Sequence, residues 1–316
     1  MCSPACCSRS RREQSGIEDS GAPTISTFEA PGAGIGAGLG TWALGLNGAG
    51  VIAGYYYDGS SAVGGFVRAV DGTVTSFGTP GTLITLAEGI NAAGTVAGSH
   101  GDSTGPAHGF VRPADGAFTS FDVPGGGTFF PQGTYAVSIN AAGAVAGYYV
   151  DGKGLAHSFV RTGSGAITRF DPPGLTGSIS TCINAPGAIA GYYDDSQNMF
   201  RGFVRAADGT FATFAAPAVG TLETDGTFPE SINTAGDIAG YYTDANGAHG
   251  FVRDAGGAIA TFDVPGASQG TYAASINAAG TVAGYYFDSS GEKTGIAASC
   301  APPTATSPRS PLRALA

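Results

Sequence analysis

Residues Thr134–Gly174 read TYAVSINAAGAVAGYYVDGKGLAHSFVRTGSGAITRFDPPG. The stretch holds four short runs of β-branched and aromatic residues, at Tyr135–Asn140, Ala144–Val150, His157–Arg161 and Ala166–Phe170. Such runs, bounded by Asn, Asp and Gly, predict strands joined by tight turns. We label them A to D. N-A-A-G joins A to B, D-G-K-G joins B to C, and G-S-G lies between C and D. Asn and Asp start turns through side-chain hydrogen bonds, and Gly accepts positive φ. The Pro-Gly after strand D ends the unit.

The same pattern recurs along the chain. The Asn ending strand A falls at Asn47, Asn91, Asn140, Asn184, Asn233 and Asn277, at spacings of 44, 49, 44, 49 and 44. FVR begins at Phe66, Phe110, Phe159, Phe203 and Phe251. A Phe closes strand D at Phe28, Phe77, Phe121, Phe170, Phe214 and Phe262, each with Pro three residues on. Three markers moving together define a six-fold repeat.

Four strands in a unit of 44 to 49 residues predict a six-bladed β-propeller with four antiparallel strands per blade. An open solenoid is the rival reading. The repeat begins with an isolated strand D at Thr24–Gly32 and ends with A, B and C alone. The fragments complement one another, so the N-terminal strand is expected to close the ring and remove the open sheet edges. Deleting residues 1–23 is expected to leave the fold intact, and deleting 1–32 to disrupt it. Domain boundaries follow: residues 1–23 a disordered leader, 24–299 one propeller domain, and 300–316 a disordered Pro-rich tail.

Composition agrees. Gly supplies 54 of 316 residues and charged residues only 12%, which opposes extensive helix. Net charge is −10 and pI about 4.7, so no basic field is available for a nucleic-acid backbone. No apolar run is long enough for a membrane-spanning helix. Cys2, Cys6 and Cys7 lie in the leader, which has no signal-peptide core. Cys182 and Cys300 form no disulfide framework. A monomer is expected.

The triplets His108-Gly109-Phe110, His157-Ser158-Phe159 and His249-Gly250-Phe251, with the repeated I-N-x-x-G-x-V/I-A-G-Y-Y, resemble the extracellular HAF repeat family. The resemblance covers roughly Thr24 to Ala298. It implies a β-rich bacterial protein that is secreted or exposed at the cell surface, and no particular activity.

Repeat positions carry structural expectations. Residues two and four before the Asn are small and, by strand alternation, share an axial face. The Phe residues fill the space between blades. One Tyr of each pair, such as Tyr148-Tyr149, is buried and the other faces outward. A ring of stacking groups for a sugar is the functional alternative for these Tyr. Arg68, Arg112, Arg161, Arg205 and Arg253 are expected to pair with turn carboxylates such as Asp71, Asp115, Asp208 and Asp254. The B–C turn carboxylates Asp58, Asp102, Asp151, Asp194, Asp195, Asp244 and Asp288 are expected to cap turns rather than bind Ca²⁺. No metal and no cofactor is expected.

The distance from the closing Phe to the next Asn alternates, at 19, 14, 19, 14, 19 and 15 residues. Long D–A loops therefore belong to units one, three and five, an approximate three-fold alternation. These loops and the B–C turns share one end of a four-stranded blade, where binding residues concentrate. Phe129, Phe130, Tyr135, Glu223, Asp225 and Phe228 are the candidate ligand-binding residues.

Function divides three ways. The first reading is a non-enzymatic binding or scaffold module for a glycan or a protein. The second is a hydrolase or lyase acting on a carbohydrate-like substrate at the channel mouth, with Glu88 and Glu230 as candidate acid–base groups. Alternation places both glutamates with Leu46 and its equivalents, away from the small axial residues. The third is a purely structural repeat. No hydrolase, metalloprotease or P-loop motif is present.

Overall fold

A computed structural model describes residues 27–299, apart from Ala37, Ser61, Pro80, Thr176, Ala218, Glu223, Thr224 and Glu292. The leader, the tail and the cysteines Cys2, Cys6, Cys7 and Cys300 lie outside the described residues. Every regular element among the described residues is a strand. In unit three these are Gly133–Ile139, Val145–Val150, Ala156–Arg161 and Ile167–Phe170, antiparallel and in spatial order D–C–B–A. Units four and five repeat this sheet. Units one and two do so as well, linked into one ladder by the parallel bridge Val63↔Ile84. Unit six has strands A to C.

The repeated Asn closes the A–B turn as its residue type predicts. Asn140 Oδ1 accepts from the backbone N–H groups of Ala142 and Ala144, at 3.1 and 3.0 Å. The B–C carboxylates act in the same way. Asp58, Asp102, Asp151, Asp195, Asp244 and Asp288 each accept the N–H two residues on.

Each strand A carries a β-bulge three residues before its Asn, at Leu44, Glu88, Val137, Thr181, Glu230 and Ala274. The extra residue shifts the phase of alternation, which corrects the shared axial face expected for the small residues. Ala87 and Ile90, four and one before Asn91, both face unit one and pack with Ala53 and Phe110. Gly89, two before, faces unit three, where an added Cβ would approach the Val137 carbonyl oxygen to 3.3 Å. The bulge also explains the glycine of A-G-Y-Y. A Cβ on Gly98 would overlap the Leu86 carbonyl oxygen and reach 2.8 Å from the Phe110 ring.

The core lies between units. Phe66, Phe110, Phe159, Phe203 and Phe251 are fully buried, each contributing about 1.5–3 kcal/mol in apolar burial. The closing Phe of the preceding unit meets each edge-on, as Phe121 meets Phe159 at 6.0 Å. Over that closing ring lies the guanidinium of the FVR arginine: Arg161 over Phe121 at 4.9 Å, Arg112 over Phe77 at 4.4 Å, Arg205 over Phe170 at 4.8 Å. The turn carboxylates expected as partners do act on these arginines electrostatically, Asp71 with Arg68, Asp115 with Arg112, Asp208 with Arg205 and Asp254 with Arg253. The arginines make cation–π contacts between units.

A polar ladder ties the strands A together. Asn47, Asn91, Asn140, Asn184 and Asn233 each donate from Nδ2 to the carbonyl of the next repeat Asn, at 3.0–3.2 Å. Ser138 and Ser231 accept the N–H of Ile183 and Ile276 in the next unit. Five junctions are thus made.

The N-terminal strand expected to close the ring begins at Thr24, and Thr24, Ile25 and Ser26 lie outside the described residues. Among the described residues, Thr27–Ala30 join no ladder, and Lys293–Ser299 pairs with Thr281–Phe287. Phe28 nevertheless packs on unit one as a closing Phe does, edge-on to Phe66 at 5.7 Å and beneath Arg68.

Candidate functional site

The D–A loops and B–C turns meet at one end of the sheets. Gly34 N–H donates to the Tyr57 carbonyl, Gly127 N–H to Val150 and Gly220 N–H to Thr243, at 2.8–3.0 Å. The three long loops are therefore all anchored at the B–C end of strand B.

An aromatic run lies at this end. The residue five before the Asn lies near the start of strand A, and in units three, five and six its ring stacks on the first Tyr of strand B in the same unit. Tyr135 lies 4.9 Å from Tyr148, Phe228 5.0 Å from Tyr241 and Tyr272 4.8 Å from Tyr285. Unit boundaries are bridged too, with Tyr192–Phe228 at 5.3 Å and Tyr241–Tyr272 at 5.0 Å. Tyr192, Phe228, Tyr241, Tyr272 and Tyr285 thus form an unbroken run across units four to six, every ring partly exposed. Trp42 and Tyr55 begin a similar step in unit one, at 6.3 Å. Aliphatic or small residues interrupt the pattern elsewhere: Leu86, Ser99 and Ile179. Burial, then Tyr272 and Glu230, push the Tyr285 phenol up to about 12, so at neutral pH it is a hydrogen-bond donor. The second Tyr of each pair turns the other way. Tyr149 and Tyr242 are buried against the stacked rings of His157 and His249.

Glu88 and Glu230 occupy bulge positions and are half-buried, not placed with Leu46 as alternation predicts. Desolvation pushes each carboxyl up to about 7. Neither contributes to the other's shift. Their influence falls instead on the aromatic run: Glu88 raises Tyr55 and Glu230 raises Tyr285, each secondary to burial.

The candidate binding residues separate into two groups. Phe129 and Phe130 are 69% and 56% exposed on the unit-three loop, close in sequence to Tyr135, whose hydroxyl donates to the Pro131 carbonyl at 2.6 Å. Phe228 belongs to the aromatic run of units four to six. Asp225 is corrected: it is 4% exposed, and its carboxylate accepts the Leu222 N–H at 2.8 Å inside the loop. It builds the loop and does not face a ligand. Glu223 lies outside the described residues.

A second repeated arrangement sits on the same end. His157 places Nδ1 2.8 Å from Asp171 and Nε2 3.6 Å from Asp151. His249 lies between Asp263 and Asp244 at 2.8 and 3.1 Å. His108 binds Asp122 at 2.7 Å. The signal was present in the sequence. Asp follows the closing Phe in the three units with His in strand C, whereas Ala215 accompanies Arg201 and Gly78 accompanies Gly64. Arg201 binds Asp195 at 2.8 Å. In unit one the two glycines leave a cleft of about 330 Å³ beside Tyr56 and Asp58. Among the described residues no three His, Cys, Asp or Glu groups converge on a metal-binding geometry, and no helix is long and apolar enough to cross a membrane.

No protein-family model matches the chain, and no curated protein matches it in sequence. Solved structures do match in fold. Virginiamycin B lyase from Staphylococcus aureus aligns at a TM-score of 0.51 and 13% identity, over 80% of this chain and 83% of that one. The BP39L lectin from Burkholderia pseudomallei aligns at 0.51 and 12% identity, over 84% and 83%. At these identities the likeness is one of fold, an all-β architecture of propeller type.

Proposed function

We propose that the protein is a non-enzymatic binding module that takes a carbohydrate on the face bearing the D–A loops and B–C turns. The observation that carries this reading is the run Tyr192–Phe228–Tyr241–Tyr272–Tyr285, partly exposed over three units. Sugars present apolar C–H faces and hydroxyls together. Aromatic faces flanked by phenol donors match both. The resemblance to the HAF repeats supports placing this surface outside the cell. A glycan array probed with the full chain tests the proposal. Binding to at least one glycan class is expected, weakened about tenfold or more in Tyr241→Ala and in Tyr272→Ala, equivalent to about 1.4 kcal/mol. Unchanged binding in both variants would overturn it.

A second reading rests on Glu88 and Glu230, whose carboxyls are held at about 7 beside the aromatic rings. A carboxyl at that value is partly protonated at neutral pH and serves either as acid or as base. Turnover of a carbohydrate-like substrate, lost in Glu88→Gln or Glu230→Gln, would favour a hydrolase or lyase over a binding module.

A further inference from the structure

One position of strand C carries a basic side chain in units two to five and no side chain in unit one. Units two, three and five place His108, His157 and His249 there, each bound to the Asp that follows the closing Phe. Unit four has Ala215 in place of that Asp, and its basic residue is Arg201. The Arg201 Nε binds the B–C turn carboxylate of Asp195 at 2.8 Å. His therefore accompanies two carboxylates in the repeat, and Arg accompanies one. Unit one has the B–C carboxylate, Asp58, and no second one, as unit four does. Gly64 stands in place of Arg201, and Gly78 in place of Ala215.

The cleft of about 330 Å³ lies where that side chain is missing, with Tyr56, Asp58, Gly64, Ser76, Gly78 and Leu83 among its walls. Neither glycine has a positive φ, so the backbone does not require glycine at either place. A Cβ on Gly78 would meet nothing within 4 Å, and one on Gly64 would lie 2.5 Å from Cζ of Tyr56. The Tyr56 ring thus leans over strand C and forms one side of the cleft. The Asp58 carboxylate is set as in unit four. Its Oδ1 accepts the N–H groups of Ser60 and Ala62 at 2.7 and 3.0 Å, as Asp195 Oδ1 accepts those of Gln197 and Met199 at 2.8 and 3.1 Å. Hydrogen bonds from Ser60 and Ala62 hold Asp58 below the usual carboxylate range, so it is anionic at neutral pH. Its Oδ2 accepts the exposed Ser60 hydroxyl at 2.9 Å, and a carboxylate oxygen has room for a second donor.

We propose that the unit-one cleft binds the guanidinium group of an external ligand, in the place that Arg201 fills in unit four. Asp58 takes its N–H donors, and the Tyr56 ring lies against its flat face, a contact that favours guanidinium over a rounder ammonium. The net charge of −10 adds a long-range attraction for a cation. The cleft is separate from the aromatic run of units four to six, and the proposal does not depend on the carbohydrate reading.

Titration of the full chain with methylguanidinium, followed by NMR at the Gly64 and Gly78 amides, tests this. Saturable shifts at both amides are expected, with binding about tenfold weaker for methylammonium, which has the charge without the plane. Asp58→Asn keeps an oxygen to cap the turn and removes the charge, and should weaken methylguanidinium binding about tenfold or more. Gly64→Arg supplies the guanidinium from within and should abolish the shift at Gly78. The peptide acetyl-Gly-Arg-Gly-amide separates two sources of the group. Binding about tenfold tighter than methylguanidinium assigns the cleft to an arginine of a polypeptide, and equal or weaker binding to a small guanidinium compound. A lack of saturable shifts at Gly64 and Gly78 would overturn the proposal. So would equal binding of methylammonium, or unchanged binding in Asp58→Asn, and these two results decide the matter even if Gly64→Arg fails to fold.

Discussion

Asn140 Nδ2 donates to the backbone carbonyl of Asn184 at 3.0 Å, across 44 positions of sequence. The same amide closes its own A–B turn through Oδ1, so one side chain shapes a unit and ties it to the next. Asn140→Ala should lower stability by about 2 kcal/mol, the scale of several lost hydrogen bonds with buried partners left unmet. Asn277→Ala, at an exposed equivalent with turn bonds only, should lower it by less than about 1 kcal/mol. Urea unfolding of the two variants gives the comparison. Equal losses would mean that the bond between units contributes nothing.

Gly98 should tolerate no side chain. A methyl group there overlaps the Leu86 carbonyl that the bulge turns inward. Gly98→Ala should reduce stability by about 3 kcal/mol or more, through strain in strands A and B. Gly48, with open space around its would-be Cβ, is the control, and Gly48→Ala should be nearly neutral. Melting temperatures of the two variants decide the point.

The His249 bridge should give stability a pH dependence of known sign. Burial pulls the imidazolium pKa down, but hydrogen bonds to Asp244 and Asp263 outweigh it and hold the pKa above its ordinary value. That stabilisation is complete below the unfolded-state pKa, about 6.5, and is lost as pH rises through the folded-state value. Asp244 behaves oppositely. Burial raises its pKa, yet hydrogen bonds from Asn246 and His249 hold it below the usual carboxylate value, so its contribution is lost as pH falls through that value. The bridge is strongest between the two. Going from pH 5.5 to pH 8.5, wild type should lose up to about 1 kcal/mol more than His249→Gln. Parallel curves for the two proteins would show that the bridge carries no net energy.

Glu230 should destabilise the fold when ionised. Its carboxyl is pushed up to about 7, so the folded state holds the proton more tightly than the unfolded chain does. Stability therefore falls as pH rises from about 4.3 towards 7. Glu230→Gln should be neutral at pH 4 and stabilising by about 2–3 kcal/mol at pH 8. Denaturant midpoints at the two pH values measure this.

Much of the architecture was legible because side-chain chemistry repeats with the backbone. The Asn and Asp turns and the FVR core follow from local preference; one Tyr of each pair is buried as expected in units three and five, at Tyr149 and Tyr242, while Tyr56, Tyr193 and Tyr286 are partly exposed. The bulge was not legible, since strict alternation is the default for a strand and the extra residue leaves no mark of its own in Leu44, Glu88 or Thr181. Misplacing Glu88 and Glu230 follows from that one shift. The stacking of Arg161 is hidden in the sequence because the ring it covers, Phe121, belongs to the previous unit. Asp225 looked like a surface acid because a loop sequence does not show which of its carboxylates folds inward.

Every Asn in the polar ladder hands its hydrogen forward, from lower to higher residue number, and none hands it back. Each link has a hook on one side and an eye on the other, identical from unit to unit. A duplication or loss of whole units in the gene would leave every surviving link correctly matched. For this one link, an engineer adding a unit needs to design no new contact.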